Sequence, residues 1–281
     1  MLFRSYTASS LDTFLFFTNK GRVFWRKVYE LPLAGRTARG KAIVNLLELG
    51  DGEKVAAVLP VADLANMDDA LSVLTVTKLG RVKKTFISEY KRPMRKGKFG
   101  LTIRDDDEIL TAAITSGDDE IFLVTRKGLS IHFHESNVRA MGRLAAGVKG
   151  ISLGEDDVVV GVAVLKSDDS ILTVTENGYG KRTAVSEYKL QSRGGKGVFT
   201  IKTSERNGNV VGVLPVVDED QVMLIANSGK IIRMPMDTIR IIGRNTQGVR
   251  LINLEEGELV VDMSMLAREE GVDLDDDDIE G

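Results

Sequence analysis

No cysteine occurs in the 281-residue chain. That rules out disulfides, thiolate metal sites and a cysteine nucleophile, and it suits a reducing compartment. Histidine is nearly as scarce, with only His132 and His134, in "IHFHE". There are 5 prolines against 28 glycines, a balance that fits many tight turns better than a Pro-rich linker. No apolar run approaches the ~20 residues a membrane helix needs. The opening "MLFRSYTASS" has no signal-peptide core. The expected location is the cytoplasm, without membrane attachment. Helical periodicity is also missing, apart from a short piece near 263–270.

Charge is present but uneven. The formal net charge is −3, from 38 Lys and Arg against 41 Asp and Glu. Residues 269–281, "EEGVDLDDDDIEG", carry eight acidic side chains and no basic one. Without them, 38 basic residues face 33 acidic ones, so a mildly basic body precedes an acidic tail expected to be disordered. Two readings of the tail stay open: a solubilising end, or a tethered competitor for a basic surface.

The dominant feature is repetition. Five stretches share one form: "FLFFTNKGRVFWRK" (14–27), "LTVTKLGRVKKT" (74–85), "IFLVTRKGLSIHF" (121–133), "ILTVTENGYGKRT" (171–183) and "VMLIANSGKIIRM" (222–234). Each is a β-branched or aromatic run, a polar pair ending in glycine, and a second run, the pattern of a β-hairpin. The turn glycines are Gly21, Gly80, Gly128, Gly178 and Gly229, spaced 59, 48, 50 and 51 residues apart. An Arg/Gly-rich corner leading into a strand follows each hairpin, at 35–46, 91–103, 142–153, 191–201 and 243–254. A nearly all-apolar run closes each unit, at 53–61, 107–115, 157–165, 209–217 and 258–266. Four strands per ~50-residue unit predict an all-β, propeller-like array of about five blades, because a lone sheet cannot bury both faces whereas neighbours bury them mutually. The body is expected over 1–268. A leftover strand, "LFRSYTAS", reads as part of an earlier unit.

The corners are the candidate site. "QSRGGKGV" (191–198) is not a P-loop, because Lys196 is followed by Gly197 and then by a strand-like run, not by Ser/Thr and a helix. A single such loop could be an ordinary tight turn, but it recurs in every unit. The candidate polyanion contacts are Arg36, Arg39 and Lys41; Arg92, Arg95, Lys96 and Lys98; Arg139, Arg143 and Lys149; Arg193 and Lys196; and Arg240, Arg244 and Arg250. The hairpins add Lys83, Lys84, Lys181 and Arg182. Placed on one rim, such cations suit the regular phosphates of duplex DNA, held with little base readout. Other chemistry is thin. His132 and His134 could pair on a metal with only Glu135 nearby, or be two solvated strand histidines. Trp25 and Phe24 read as core. "SEYK" at 88–91 and 186–189 reads as a structural lead-in with Tyr90 and Tyr188 packed between strands. A protein-interaction platform is the competing class, although its interfaces favour aromatics over repeated cations.

The strings "TNKGRVFWRKVYELP", "RGKAIVNLL", "VRAMGRLAAGVKGI", "ILTVTENGYGKRT", "RGGKGVFTIKTSERNG" and "IRIIGRNTQGVRLINLEEGE" resemble the C-terminal domain of the A subunit of DNA gyrase, a bacterial type IIA topoisomerase. The resemblance implies a β-pinwheel of six blades that exchange strands, and a basic perimeter that wraps DNA for negative supercoiling. It implies two protein partners, the gyrase B subunit together with the remainder of the A subunit. It also implies a monomeric isolated domain and a bacterial, nucleoid-associated setting. ATP and Mg would be used by the whole gyrase, with no cofactor, cleavage tyrosine or ATPase in this chain. The related domain of topoisomerase IV is the nearby alternative. The family's box, Q-R-R-G-G-K-G, is matched only by Gln191, Ser192, Arg193, Gly194, Gly195, Lys196 and Gly197. Ser192 replaces an arginine, and the match sits in the fourth unit instead of the first. The first blade is therefore expected upstream of Met1, with wrapping in doubt and DNA binding retained.

Overall fold

The computed structural model describes residues 6–35, 38–104, 106–166 and 169–266. The acidic segment 269–281 and Arg36 lie outside them. The first unit holds β1 (Thr13–Thr18), β2 (Arg22–Lys27) and β3 (Val55–Val61). The second holds β4 (Ser72–Thr77), β5 (Arg81–Phe86), β6 (Lys98–Phe99) and β7 (Ile109–Thr115). The third holds β8 (Glu120–Thr125), β9 (Leu129–His134), β10 (Val148–Lys149) and β11 (Val159–Leu165). The fourth holds β12 (Ser170–Thr175), β13 (Tyr179–Ala184), β14 (Val198–Phe199) and β15 (Val210–Val216). The fifth holds β16 (Gln221–Ala226), β17 (Ile231–Pro235), β18 (Val249–Arg250) and β19 (Val260–Met265).

The expected hairpins are all present, and the blades stand in a pinwheel. The corner strand, however, does not join its own unit. β6 pairs with β2, β10 with β5, β14 with β9 and β18 with β13, so each unit lends a two-residue strand to the one before it. Among the described residues this gives four four-stranded antiparallel sheets and a fifth of three strands, β17-β16-β19. Two expectations are corrected. The described part of the piece near 263–270 is strand up to Met265 and holds no helix, and its remainder lies outside the described residues. The described part of the leftover N-terminal segment, residues 6–9, has no strand.

The turn glycines make the exchange possible. The carbonyl of Gly21 accepts the N–H groups of Gly100 and Leu101, that of Gly80 those of Gly150 and Ile151, that of Gly128 those of Thr200 and Ile201, and that of Gly178 those of Leu251 and Ile252. At Gly128, φ is +84° and an added Cβ would lie 2.2 Å from the carbonyl oxygen of Ile201. Glycine alone meets both demands there. Gly229 has φ +87° but no atom within 4 Å of such a Cβ, because no strand lies on its hairpin among the described residues.

The apolar core lies between blades. One cluster joins Phe17, Trp25 and Val61 to Ile87, Tyr90 and Ile109 across the first two units. Others join units two and three, three and four, and four and five. β1, β4 and β12 are consequently buried at every position, whereas β16 alternates between buried and half-buried. The outer face of the first sheet, with Phe14, Phe16 and Phe24, is covered by Leu47 and the half-buried Ile43, Leu46 and Leu49 of its own unit. The strand expected after the first corner is instead a 3₁₀ turn, Ile43–Asn45. With no preceding sheet among the described residues to receive it, the apolar stretch buries itself against the nearest open face.

Gly128→Ala should therefore cost more than Gly229→Ala in urea unfolding. We expect about 1 kcal/mol for left-handed strain alone at Gly229, and roughly 3 kcal/mol or more at Gly128, where the next blade must also move. Equal losses would refute the docking role of the turn glycine.

Candidate nucleic-acid interface

Each corner reaches its acceptor blade through a second glycine. Gly97, Gly147, Gly197 and Gly248 all have positive φ, between +72° and +78°, and a Cβ on Gly197 would fall 2.2 Å from the carbonyl oxygen of Ser130. Arginines of the acceptor blade hold the loop from below. The Arg81 Nε and Nη2 donate to the carbonyls of Ala146 and Gly147 at 2.9 and 2.7 Å, and Arg22 donates to that of Lys96. These two arginines were missed in the sequence, although each directly follows a turn glycine.

The corners of units two to five are tied in series. Thr102 N donates to the Ala145 carbonyl, Ser152 N to that of Gly195 and Lys202 N to that of Thr246. Above these bonds, Arg143 donates to the Phe99 carbonyl at 3.1 Å, Arg193 to that of Lys149 at 2.9 Å and Arg244 to that of Phe199 at 3.2 Å. Each arginine thus grips the preceding corner. In the second unit Pro93 fills the place of that arginine, four residues before Gly97, and the first unit's corner ahead of it pairs with no blade among the described residues.

On this track Arg92, Arg95, Lys96, Arg139, Lys149, Lys196, Arg240 and Arg250 are exposed, while Lys98, Arg143, Arg193 and Arg244 are half-buried. Arg39 and Lys41 are exposed on the first corner. Arg95 pairs with Glu48 at 3.2 Å and Arg143 with Glu89 at 3.4 Å, and among the described residues the other cations of both groups make no ion pair. Within "QSRGGKG", Gln191 N donates to the His132 carbonyl and Gly194 N to that of Gly150, and the Arg193 Nε donates to that of Asn137 at 2.8 Å. Lys196 is left as the box's exposed cation, and Ser192 is exposed as well.

Four expected contacts are displaced from this surface. Lys83, Lys84, Lys181 and Arg182 are at most 9% exposed, because they are spent on the protein's own carbonyls. Lys83 Nζ donates to the carbonyls of Gly100 and Arg143 at 2.5 and 2.6 Å, and Lys181 Nζ to that of Gly243 at 2.7 Å and to that of Arg244. Lys84 and Arg182 act one residue further on. Lys84 Nζ lies 3.1 Å from the Glu135 carboxylate, and Arg182 donates to the Met236 carbonyl at 2.6 Å and pairs with Asp218 at 2.7 Å. In the same hairpin position Trp25 Nε1 donates to the Tyr90 carbonyl at 2.8 Å, and His132 Nδ1 lies 3.1 Å from that of Tyr188. Four different side chains thus clamp the 3₁₀ turn of the next unit. His132 is not the solvated strand histidine expected: it is buried, and its Nε2 lies 2.8 Å from Glu120. Tyr90 and Tyr188 are buried as expected.

Comparison with known proteins places this architecture. The model of the DNA gyrase C-terminal domain, beta-propeller, matches residues 12–62, 72–116, 119–166, 169–216 and 220–266, one match per unit. The chain belongs to the DNA gyrase C-terminal domain, β-propeller family. The DNA gyrase A subunit of Escherichia coli (strain K12) is 47% identical over 279 residues, covering 99% of this chain and 31% of that protein. Its Clostridium acetobutylicum counterpart is 48% identical over 271 residues, covering 96% and 32%. The chain thus spans about a third of the curated relatives it matches. A crystal structure of the C-terminal domain of DNA topoisomerase IV aligns with a TM-score of 0.82 at 29% identity, over 92% of this chain and 80% of that one. A DNA gyrase A C-terminal domain aligns at 0.80 and 25%, over 92% and 84%.

In this family member the buried lysines have a measurable consequence. Burial, reinforced by Arg143, pulls the Lys83 ammonium down to about 8, and burial with Arg244 does the same to Lys181. An unfolded lysine keeps its proton to about 10.5. From pH 8 to 10.5 the unfolded chain therefore binds more protons, and stability rises with pH. Lys83→Met leaves two carbonyls without their donor, a cost of about 1–3 kcal/mol, and also removes this titration. Its deficit against the parent in urea unfolding should widen from pH 8 to pH 10; a constant or shrinking deficit would contradict the buried ammonium.

Proposed function

We propose that this chain binds duplex DNA without sequence preference along the corner track and bends it around the rim, serving negative supercoiling by gyrase. Cleavage and ATP hydrolysis would belong to other parts of that enzyme. The partners are duplex DNA, the gyrase B subunit, and the rest of the A subunit. One observation carries the reading: consecutive corners are hydrogen-bonded into one series whose outward cations, Arg139, Lys149, Lys196 and Arg240 among them, have no carboxylate partner among the described residues. Glycine-rich corners also bring main-chain N–H groups close to a phosphate. Bending costs of order 1–6 kcal/mol per 20–30 bp, and contacts repeated along the rim offset it.

A second reading, a protein-docking platform, draws on apolar side chains of the same track: Phe99, Leu144, Phe199, Ile241 and Val249 are 48–69% exposed. Salt separates the two. A backbone-held duplex loses roughly 10³-fold or more in affinity between 50 and 200 mM salt if about 6–10 phosphates are engaged, and an apolar platform does not.

The test is a gel-shift titration with short and long duplexes at several salt concentrations, using the parent and a charge-reversed variant (Arg139→Glu, Lys149→Glu, Lys196→Glu). We expect at least tenfold weaker binding by the variant and tighter binding of long duplexes than site counting allows. Indistinguishable binding at low salt would remove the corners from the interface.

A further inference from the structure

Beside the last corner lies a cation pair of which the corner pattern includes only one member, Arg250. Arg206 and Arg250 stack on one ring, their guanidinium carbons 5.0 and 5.4 Å from the centre of Tyr179. Both donate to the Tyr179 phenol oxygen, Arg206 Nε at 3.4 Å and Arg250 Nη2 at 2.9 Å. Two like charges on one small acceptor repel each other, and neither has an ion pair among the described residues.

The loop that presents Arg206 is built for the purpose. Asn207 is fully buried; its amide nitrogen donates to the carbonyls of Lys202 and Gln247, and its oxygen accepts from the main chain and hydroxyl of Ser204. Asn177 donates to the carbonyls of Glu205 and Arg206. Arg206 is therefore held outward on a rigid turn, and Arg250 is fixed by its place in β18. Between them opens a cleft of about 310 Å³.

The donor inventory of this cleft matches one ligand class. The phenol oxygen already accepts two bonds, so its own O–H is left to donate. Arg206 retains both terminal amino groups, and Arg250 keeps N–H groups beyond those pointed at Tyr179 and Asn253. The two guanidinium groups also hold the Tyr179 phenol below its ordinary value. On the far wall stand two carboxylates: that of Glu258 is held below its ordinary value by hydrogen bonds from Ser228 and the Glu255 main chain and faces Lys230 at 3.9 Å, and that of Glu255 is exposed.

We infer that Tyr179, Arg206 and Arg250 form a phosphate-binding site at the junction of the fourth and fifth blades, one that shares Arg250 with the last corner and extends beyond it through Arg206 and Tyr179. Forked guanidinium groups and a phenol donor suit a tetrahedral oxyanion. The phosphate could be free or part of a DNA backbone; the second source rests on the DNA-binding reading above.

Two arms test this. In the first, thermal unfolding is followed with inorganic phosphate against chloride at matched ionic strength. In the second, a fluorescein-labelled 20-bp duplex is titrated by anisotropy. The parent should be stabilised by millimolar phosphate, and Arg206→Gln with Arg250→Gln should abolish that response, with Tyr179→Phe weakening it while keeping the ring under the arginines. Glu255→Gln should strengthen it. If DNA is the source, the double variant should bind the duplex about 3- to 10-fold more weakly with a salt slope lower by about 1. A response in the phosphate arm alone assigns free phosphate, and one in the duplex arm alone assigns the DNA backbone. No change in either arm, in a double variant or in the single exposed-loop variant Arg206→Gln, overturns the site. Duplex binding lost with the corner charges but kept here would defeat only the DNA source, and the converse would defeat only the corner reading.

Discussion

One interaction organises the molecule: the carbonyl of a turn glycine accepts two consecutive N–H groups from the following unit. Because the glycine must adopt positive φ and leave its Cβ position empty, the hairpin tip becomes a docking point instead of a solvent loop. The lent strand is only two residues long, too little to hold by ladder bonds alone. The second glycine supplies part of the rest, joined by an arginine beneath at the first two joints and by an arginine from the next corner at the first three. The cationic track and the joint between blades are thus one structure, and the outward charges are spaced by the blades themselves.

The interior solves a related problem. A four-stranded sheet with a two-residue edge leaves main-chain carbonyls of corner and 3₁₀ turn facing the core, where an unpaired acceptor is costly. Trp25, Lys84, His132 and Arg182 answer it at one hairpin position. Lys83 and Lys181 answer it at the position before, where Phe24, Ile131 and Ile232 stand in the other hairpins. What matters at the first position is an N–H donor of sufficient reach, which is why a tryptophan and an arginine can hold equivalent places.

The repeat, the hairpins, their glycines and the corners were legible in the sequence, because each depends on local φ and on alternation within a few residues. The placement of "KK" at 83–84 and "KR" at 181–182 was not. Their burial depends on carbonyls 17 to 63 residues away, and a basic pair at the end of a hairpin reads as solvated. A signal did exist: aligned by turn glycine, Lys83 and Lys181 share a column with phenylalanine and isoleucine, a core column. Strand exchange was implied only by family resemblance. No local pattern separates a strand that joins its own sheet from one that joins its neighbour's, and for the same reason the first corner, chemically like the rest, gave no hint that its apolar residues 43–49 would cover their own blade. Arg206 escaped notice because its role depends on Tyr179, which precedes it by 27 positions.

The two outermost sheets are unlike. The first is sheathed by Leu47 and its neighbours, whereas β17 has no further strand beside it among the described residues and its Ile231 is half exposed. In a linear assembly whose members are cohesive mainly through adjacent faces, such asymmetry gives direction to disassembly. For the described sheets alone, loosening is expected to start at the fifth and to travel toward the first, with the joint between the sheets carrying Trp25 and Tyr90 the last to open.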